Sequence, residues 1–239
     1  MKIEVWSDFV CPFCYIGKRR LESALEQFPN RDQVEIEYKS FELDPNAQNY
    51  AGVSIHEALA KKYGMSVEEA KQANHGIGEQ AKSVGLEYNF DTMKPTNTFD
   101  AHRLTKYAET IGKGKELTEQ LLHAYFVRGK LISDHDTLVE IANSVGITKE
   151  EVVTVLQDQE RFASEVRNEE MLAQQYGATG VPFFVINQKY SISGAQPTEL
   201  FLSAINQVWE EEAPKPKLKK LGEESATVCT DEGCVIPEK

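Results

Sequence analysis

Strand-type alternation occurs only near the two ends of this 239-residue chain, and the long stretch between them has the texture of helix. Lys2-Ile3-Glu4-Val5-Trp6-Ser7 alternates apolar with polar, and so does Val34-Glu35-Ile36-Glu37-Tyr38. Between these strands, Cys11 to Phe28 reads as a helix. Pro12 suits its first turn, where a missing N–H costs nothing, and Leu21, Ala24, Leu25 and Phe28 recur at helical spacing before Pro29-Asn30 ends it. From Ser54 to Tyr176 the chain is rich in Ala, Glu, Lys, Leu and Gln, and Pro95 is its only proline. Ser66-Val67-Glu68-Glu69 and Thr148-Lys149-Glu150-Glu151 match capping boxes, and Gly112, Gly129 and Gly146 are plausible stops, so roughly five to seven helices are expected here. Strand character returns with Pro182-Phe183-Phe184-Val185-Ile186-Asn187 and Tyr190-Ser191-Ile192-Ser193, spaced as a hairpin. Pro197 to Glu212 is a last helix, with Leu200, Phe201, Ala204, Ile205 and Val208 on its apolar side. The order β-α-β, helical block, α-β-β-α confines the chain to an α/β fold with a large helical insertion.

Composition narrows the function. Hydrophobic residues make up 41%, which is ordinary globular content. The net charge of −12 opposes binding to a phosphate backbone, so a nucleic-acid partner is not expected. No apolar run is long enough to span a bilayer, and Met1-Lys2-Ile3-Glu4-Val5-Trp6 lacks the charged start and apolar core of a signal peptide, so a cytoplasmic location without membrane association is expected. The segment after Glu212, broken by Pro214 and Pro216 and poor in apolar residues, reads as a tail or strap over residues 213–239.

The four cysteines fall into two close pairs, Cys11-Pro12-Phe13-Cys14 and Cys229 with Cys234. In a cytosolic chain such pairs point to redox or metal chemistry rather than to a disulfide scaffold. Cys11 stands where the first strand meets its helix, against unpaired N–H groups and the positive end of the helix dipole, and both favour the thiolate. Cys14, one turn further in, is expected to be less exposed. This divides the labour: Cys11 attacks a disulfide or leaves from a mixed disulfide, and Cys14 resolves it. Thr179-Gly180-Val181-Pro182 precedes the third strand. A proline there cannot donate to a ladder and belongs in a tight turn, sometimes cis. A cis bond would place the backbone of Val181 to pair with an extended peptide beside Cys11, with Pro12 and Phe13 as further substrate contacts.

These residues resemble a thioredoxin-fold protein, and the long insertion resembles the DsbA branch. More narrowly, Trp6-Ser7-Asp8-Phe9-Val10-Cys11-Pro12, Asn97-Thr98-Phe99-Asp100-Ala101-His102-Arg103 and Thr179-Gly180-Val181-Pro182-Phe183-Phe184-Val185 are similar to FrnE-type DsbA-like oxidoreductases. The resemblance covers about residues 1–212. It implies thiol–disulfide exchange with Cys11 as nucleophile, Cys14 as resolver and Pro182 as a cis proline. No cofactor and no metal are expected, and the expected substrate is a disulfide-containing protein or small thiol. Some such relatives carry a second cysteine pair near the C-terminus, which Cys229 and Cys234 match. The division expected is a discontinuous thioredoxin-like domain of residues 1–50 and 165–212, a helical insertion of 51–164 and the tail. Phe13 stands at the position of the histidine of periplasmic DsbA, so that enzyme's strongly oxidising character is not carried over.

Other readings compete. The four cysteines could form a zinc centre, although the tail spacing is loose for one. Cys229 and Cys234 are either incidental thiols or a relay to, or shield over, the first pair. His102 is expected to face the core and Arg103 the surface, unless the Asn97–Arg103 segment lines a cleft over Cys11. His56, His75, His123 and His135 look like ordinary surface or partly buried residues. Trp6 and Phe9 are expected beside the site, mostly as core with an edge toward substrate. Glutathione-dependent transferases of the kappa class and 2-hydroxychromene-2-carboxylate isomerases are similar in fold, but they typically carry a serine near the position of Cys11. A chaperone-like module that binds unfolded chains is the non-catalytic alternative.

Overall fold

The computed structural model describes residues 1–50, 52–212, 228–230 and 233–235. Strand β1 (Lys2–Ser7) leads into helix α1 (Pro12–Glu26), and a single 3-10 turn at Arg31–Gln33 returns the chain to β2 (Glu35–Ser40). Helices α2 (Ile55–Tyr63), α3 (Val67–Lys82), α4 (Phe99–Thr110), α5 (Gly114–Phe126), α6 (His135–Ser144), α7 (Lys149–Gln157) and α8 (Ala163–Gln175) follow. The hairpin β3 (Phe183–Ile186) and β4 (Tyr190–Ser193) then precedes α9 (Thr198–Glu212), and β5 (Val228–Thr230) and β6 (Gly233–Val235) lie beyond it. The helices from α2 to α8 reach the upper end of the expected range. This is a thioredoxin fold with a large all-helical insertion.

The main sheet has the order β2-β1-β3-β4, with β1 parallel to β2 and antiparallel to β3. Because β1 is central, its alternation does not mark a solvent face. Ile3 and Val5 pack with Leu21 and Leu25 of α1, with Phe28 just past its end, and with Phe201, Ile205 and Val208 of α9. Trp6 is fully buried on the opposite face with Phe183, Val185 and Ala173 of α8, and its indole N–H donates to the Glu169 carbonyl at 2.8 Å. Glu4 is buried on β1 as well, 3.9 Å from the Lys39 ammonium, which also reaches Glu169 at 3.3 Å. Trp6 therefore offers no edge to a substrate, contrary to expectation.

The insertion has its own core of leucine and valine side chains, including Leu104, Leu117, Leu121, Leu138, Val152 and Val155. That core continues without a break into Phe9, Tyr15 and Ile16, so the insertion is packed onto the end of α1 that carries the cysteines. The capping boxes at Ser66 and Thr148 form as expected, and Ser54 with Glu57 makes a third. Gly112, Gly129 and Gly146 all take positive φ just past helix ends, where only glycine is unstrained.

Several side chains depart from the sequence reading. Arg103 is not a surface residue; it is only 1% exposed. It pairs with Asp100 at 2.8 Å and donates to the carbonyls of Val155, Asp158 and Arg161 at 3.0, 2.7 and 2.9 Å. The end of α7 leaves carbonyls without helical partners, and a guanidinium has enough donors to serve them together. His56 is buried rather than superficial, held by Asn74 at 3.0 Å and Asp91 at 3.2 Å. Leu200, placed by its spacing on the apolar side of α9, is exposed, whereas Phe201, Ile205 and Val208 are buried.

Candidate active site

Cys11 is the N-cap residue of α1, with extended backbone, and Pro12 opens the helix behind it. The Cys11 N–H donates to the Asp8 carbonyl at 3.1 Å and the Cys14 N–H to the Cys11 carbonyl at 3.0 Å, so the turn is fixed by its own backbone. Both thiols are free and both are buried. The difference in exposure expected between them is slight, 4% for Cys11 and 2% for Cys14. The surface of the motif is formed instead by Phe13, 37% exposed.

The Val181–Pro182 peptide bond is cis, as expected. It brings the Val181 carbonyl within 3.4 Å of Cys11 Sγ, across 170 positions of sequence. The close approach depends on Gly17. A Cβ built there would stand 3.1 Å from Pro182 Cγ and 3.2 Å from Phe184 Cζ, so α1 and the proline loop meet where a side chain is missing. The loop is tied from its other end: the Gly194 N–H donates to the Pro182 carbonyl at 2.8 Å, and the Arg20 guanidinium of α1 donates to the Ala195 carbonyl.

Burial pushes the Cys14 thiol well up, and the neighbouring Cys11 adds to the shift. The Asp8 backbone N–H and the Ser7 hydroxyl oppose it by donating to the Cys14 sulfur in its ionised form. Tyr88 stands on the insertion side. Its hydroxyl donates to the Pro12 carbonyl at 2.7 Å, and its own ionisation is pushed up by burial and by the nearby Cys11. The ring stacks on Phe126 with centroids 4.6 Å apart. Behind α1, Glu119 of α5 is gripped by Tyr15, Lys18 and Arg19. Burial works against the Glu119 carboxylate, but hydrogen bonds from Arg19 and Lys18 outweigh it and hold the group at about 2.

The structure thus gathers Cys11, Pro12, Phe13, Cys14, Val181 and Pro182 into one place. His102 is buried; its ring reaches Asp8 Oδ1 at 3.3 Å and lies tilted against Phe9 with centroids 4.6 Å apart. Cys229 and Cys234 stand opposite one another in the β5–β6 ladder, and their side chains lie outside the described residues. Tyr88, Gly17, Arg20 and Ala195 were not singled out from sequence. They belong to no motif and act through contacts between distant segments. Among the described residues, no group of three or more His, Cys, Asp or Glu side chains is placed to hold a metal ion.

A reactive-type cysteine pair at a strand–helix junction, faced by a cis proline, is the arrangement of a thioredoxin-fold redox site. Residues 2–206 match the DSBA-like thioredoxin domain, and the chain belongs to that family. It is 41% identical to the "probable DsbA oxidoreductase SCO1869" of Streptomyces coelicolor, with a TM-score of 0.86 and 100% of both chains covered. It is 30% identical over 210 residues to the uncharacterized protein YwbO of Bacillus subtilis, covering 85% of this chain and 95% of that protein. The cytosolic disulfide reductase DsbM of Pseudomonas aeruginosa shares the fold, with a TM-score of 0.62 at 13% identity over 87% of this chain and 98% of that one. Among the described residues, no helix is long and apolar enough to cross a membrane.

Proposed function

We propose that the chain is a dithiol–disulfide oxidoreductase in which Cys11 is the nucleophile and Cys14 the resolving thiol. The observation that carries this is the placement of Cys11, at the N-terminus of α1 and 3.4 Å from the carbonyl that precedes cis Pro182. Cys11 Sγ attacks a substrate disulfide and expels one substrate thiolate. Cys14 then attacks Cys11 Sγ, closes the Cys11–Cys14 disulfide and releases the second substrate thiolate, so two electrons pass to the substrate. The reverse sequence oxidises a dithiol. Val181, Pro12 and the exposed ring of Phe13 form the surface that a disulfide-containing protein or small thiol meets.

The same reading takes residues 1–50 and 165–212 as the catalytic unit, 51–164 as an insertion that covers it, and Cys229 with Cys234 as a second redox pair on the tail. The three motifs quoted above favour an FrnE-type enzyme, working in the cytosol as the Pseudomonas relative is named to do. A cysteine at position 11, where the glutathione-dependent isomerases typically carry serine, favours redox chemistry over that alternative.

The test is turnover with a disulfide substrate. Cys11→Ser abolishes it, and Cys14→Ser traps a mixed disulfide on Cys11 that mass mapping locates. Unchanged turnover in Cys11→Ser defeats the reading. Saturable glutathione binding without dithiol turnover would move the isomerase reading ahead of it.

A further inference from the structure

Three cations follow one another on α1, and the third is used differently from the first two. Lys18 and Arg19 both pair with Glu22 and Glu119. Arg20 pairs with no carboxylate among the described residues; its guanidinium donates to the Ala195 carbonyl, 175 positions away in sequence. A hydrogen bond from an ionised donor is about twice as strong as a neutral one, and both partners are half-buried, where water screens the charge less. The Ala195 carbonyl has few other donors to turn to. It sits in a tight turn, with Gly194 at positive φ and the Gln196 N–H donating back to the Gly194 carbonyl at 2.9 Å. Pro197, next in the chain, has no N–H. The Leu200 and Phe201 N–H groups are taken by the Pro197 carbonyl.

That turn closes the end of β4, and β4 has little else to hold it there. It is an edge strand of the main sheet, bonded only to β3, and of its four residues only Ile192 is buried. So little covered apolar surface contributes little to fixing the last residues of the strand. What the end of β4 carries is the loop that faces Cys11. The Gly194 N–H donates to the Pro182 carbonyl at 2.8 Å, one step beyond the last β3–β4 pair, Phe183 with Ser193. On the other side of the loop, the Ala178 N–H donates to the Ala173 carbonyl of α8 at 2.9 Å. Between those two anchors, Thr179, Gly180 and Val181 make no backbone–backbone hydrogen bond among the described residues. The Val181 carbonyl is met by Cys11 Sγ at 3.4 Å, and the Val181 N–H has no acceptor among the described residues.

We propose that Arg20 is a positioning residue for extended peptide substrates. By holding the end of β4 against the cysteine helix, it keeps the backbone of Val181 in register with Cys11 Sγ. A peptide can then pair with the Val181 backbone, as an added strand pairs with a sheet edge, while its disulfide meets the thiol. The connection is continuous: Cys11 caps the helix that carries Arg20, Arg20 holds Ala195, Gly194 holds Pro182, and Val181 precedes Pro182. Arg20 touches neither the substrate nor the reacting sulfurs and acts through the loop. The inference rests on the oxidoreductase reading above and adds the residue on which recognition of a substrate backbone depends.

The consequence is a difference between substrates. Removing the tether loosens the loop without pushing it away from Cys11, because the Gly194–Pro182 bond and the close packing of Pro182 on Gly17 remain. A small disulfide meets Cys11 at one point and tolerates that motion. A peptide must hold its backbone contacts and align its sulfur at the same moment, so the same motion lowers the fraction of encounters in which the reacting atoms are in line.

Two substrates with the same leaving group separate these effects. One is a symmetrical chromogenic aryl disulfide; the other is a linear peptide whose cysteine is joined to the same aryl thiol. In both, Cys11 Sγ attacks and the coloured aryl thiolate leaves, and stopped-flow mixing with the reduced protein gives the second-order rate. Arg20→Met keeps an apolar stem and removes the charge and the donors. It should lower the peptide rate about tenfold, a fraction of what a misplacement of about 1 Å can cost, and leave the aryl rate as in the wild type. Arg20→Lys, which keeps the charge and a donor, should recover most of the peptide rate. Amide hydrogen exchange at Gly194 should quicken in Arg20→Met and not in Arg20→Lys. A merely structural role lowers the unfolding midpoint but moves both rates alike or neither. If Arg20→Met does not fold, Arg20→Gln decides through the same ratio of rates. An unchanged peptide-to-aryl ratio overturns the proposal and leaves the oxidoreductase reading intact, as does a wild type that attacks the aryl disulfide but not the peptide. A wild type that releases colour from neither substrate overturns that reading, and the proposal falls with it.

Discussion

Replacing one helical glycine tests the packing of the site, because a second helical glycine supplies the control. Gly17 is inside α1 and Gly76 inside α3, so Ala at either position gains the same helix propensity, about 1 kcal/mol. At Gly76 a Cβ meets nothing within 4 Å, and Gly76→Ala should raise stability by roughly 0.5–1 kcal/mol. At Gly17 the same methyl lies 3.1 Å from Pro182 Cγ, 3.2 Å from Phe184 Cζ and 3.5 Å from Ala195 Cβ. Carbon atoms pack best at about 3.5–4.0 Å, so the ring of Pro182 and the ring of Phe184 must both give way. Phe184 is fully buried and the proline ring is stiff, which puts the overpacking cost at about 1–3 kcal/mol. The two substitutions should therefore differ by about 1–3 kcal/mol in urea unfolding. Displacing Pro182 also moves the Val181 carbonyl away from Cys11, so Gly17→Ala should change the rate at which Cys11 attacks a chromogenic disulfide while Gly76→Ala does not. Equal stability changes in the two variants, with equal attack rates, would refute the claim that Gly17 sets the distance between helix and loop.

The remaining expectations concern the frame around the site. The Glu119 carboxyl is held at about 2 against an ordinary 4.5, so its ion pairs stabilise the fold fully above pH 4.5 and progressively less as the pH falls toward 2. Acid titration of stability should show that loss, on the order of 1–3 kcal/mol for a partly exposed group, and Glu119→Gln should remove this pH dependence. Arg103→Leu leaves the carbonyls of Val155, Asp158 and Arg161 without their donor and should cost about 3 kcal/mol, read as a lowered unfolding midpoint. Tyr88→Phe removes one hydrogen bond to the Pro12 carbonyl and should cost about 1 kcal/mol in the same assay, with the Cys11–Cys14 pair still able to turn over.

Much of the architecture could be read locally. Alternation marked β1 and β2, a short apolar run followed by a turn marked the β3–β4 hairpin, capping boxes marked α3 and α7, and the cysteine pair marked the junction of β1 with α1. These signals are short in range because they depend on the pitch of a helix or the pleat of a strand. Residue burial was less legible. The alternating pattern of β1 resembles a half-exposed strand, yet α8 covers its polar face and leaves Glu4 and Trp6 inside. Arg103 resembles a surface residue until the end of α7 is brought over it.

The sequence alone determined the order of elements, the helical N-cap position of Cys11 and the spacing that puts Cys14 one turn further into the same helix, since each follows from residues within a few positions of one another. Tertiary structure decided what surrounds those thiols. Antiparallel pairing of β1 with β3 carries Val181 across 170 positions to Cys11, and packing of α4 beneath the cysteine turn carries His102 across 94 positions to Asp8. Such contacts have no local period. They arise because the apolar faces of separate elements must be buried together, and the polar side chains that come with them are then fixed wherever that burial leaves them.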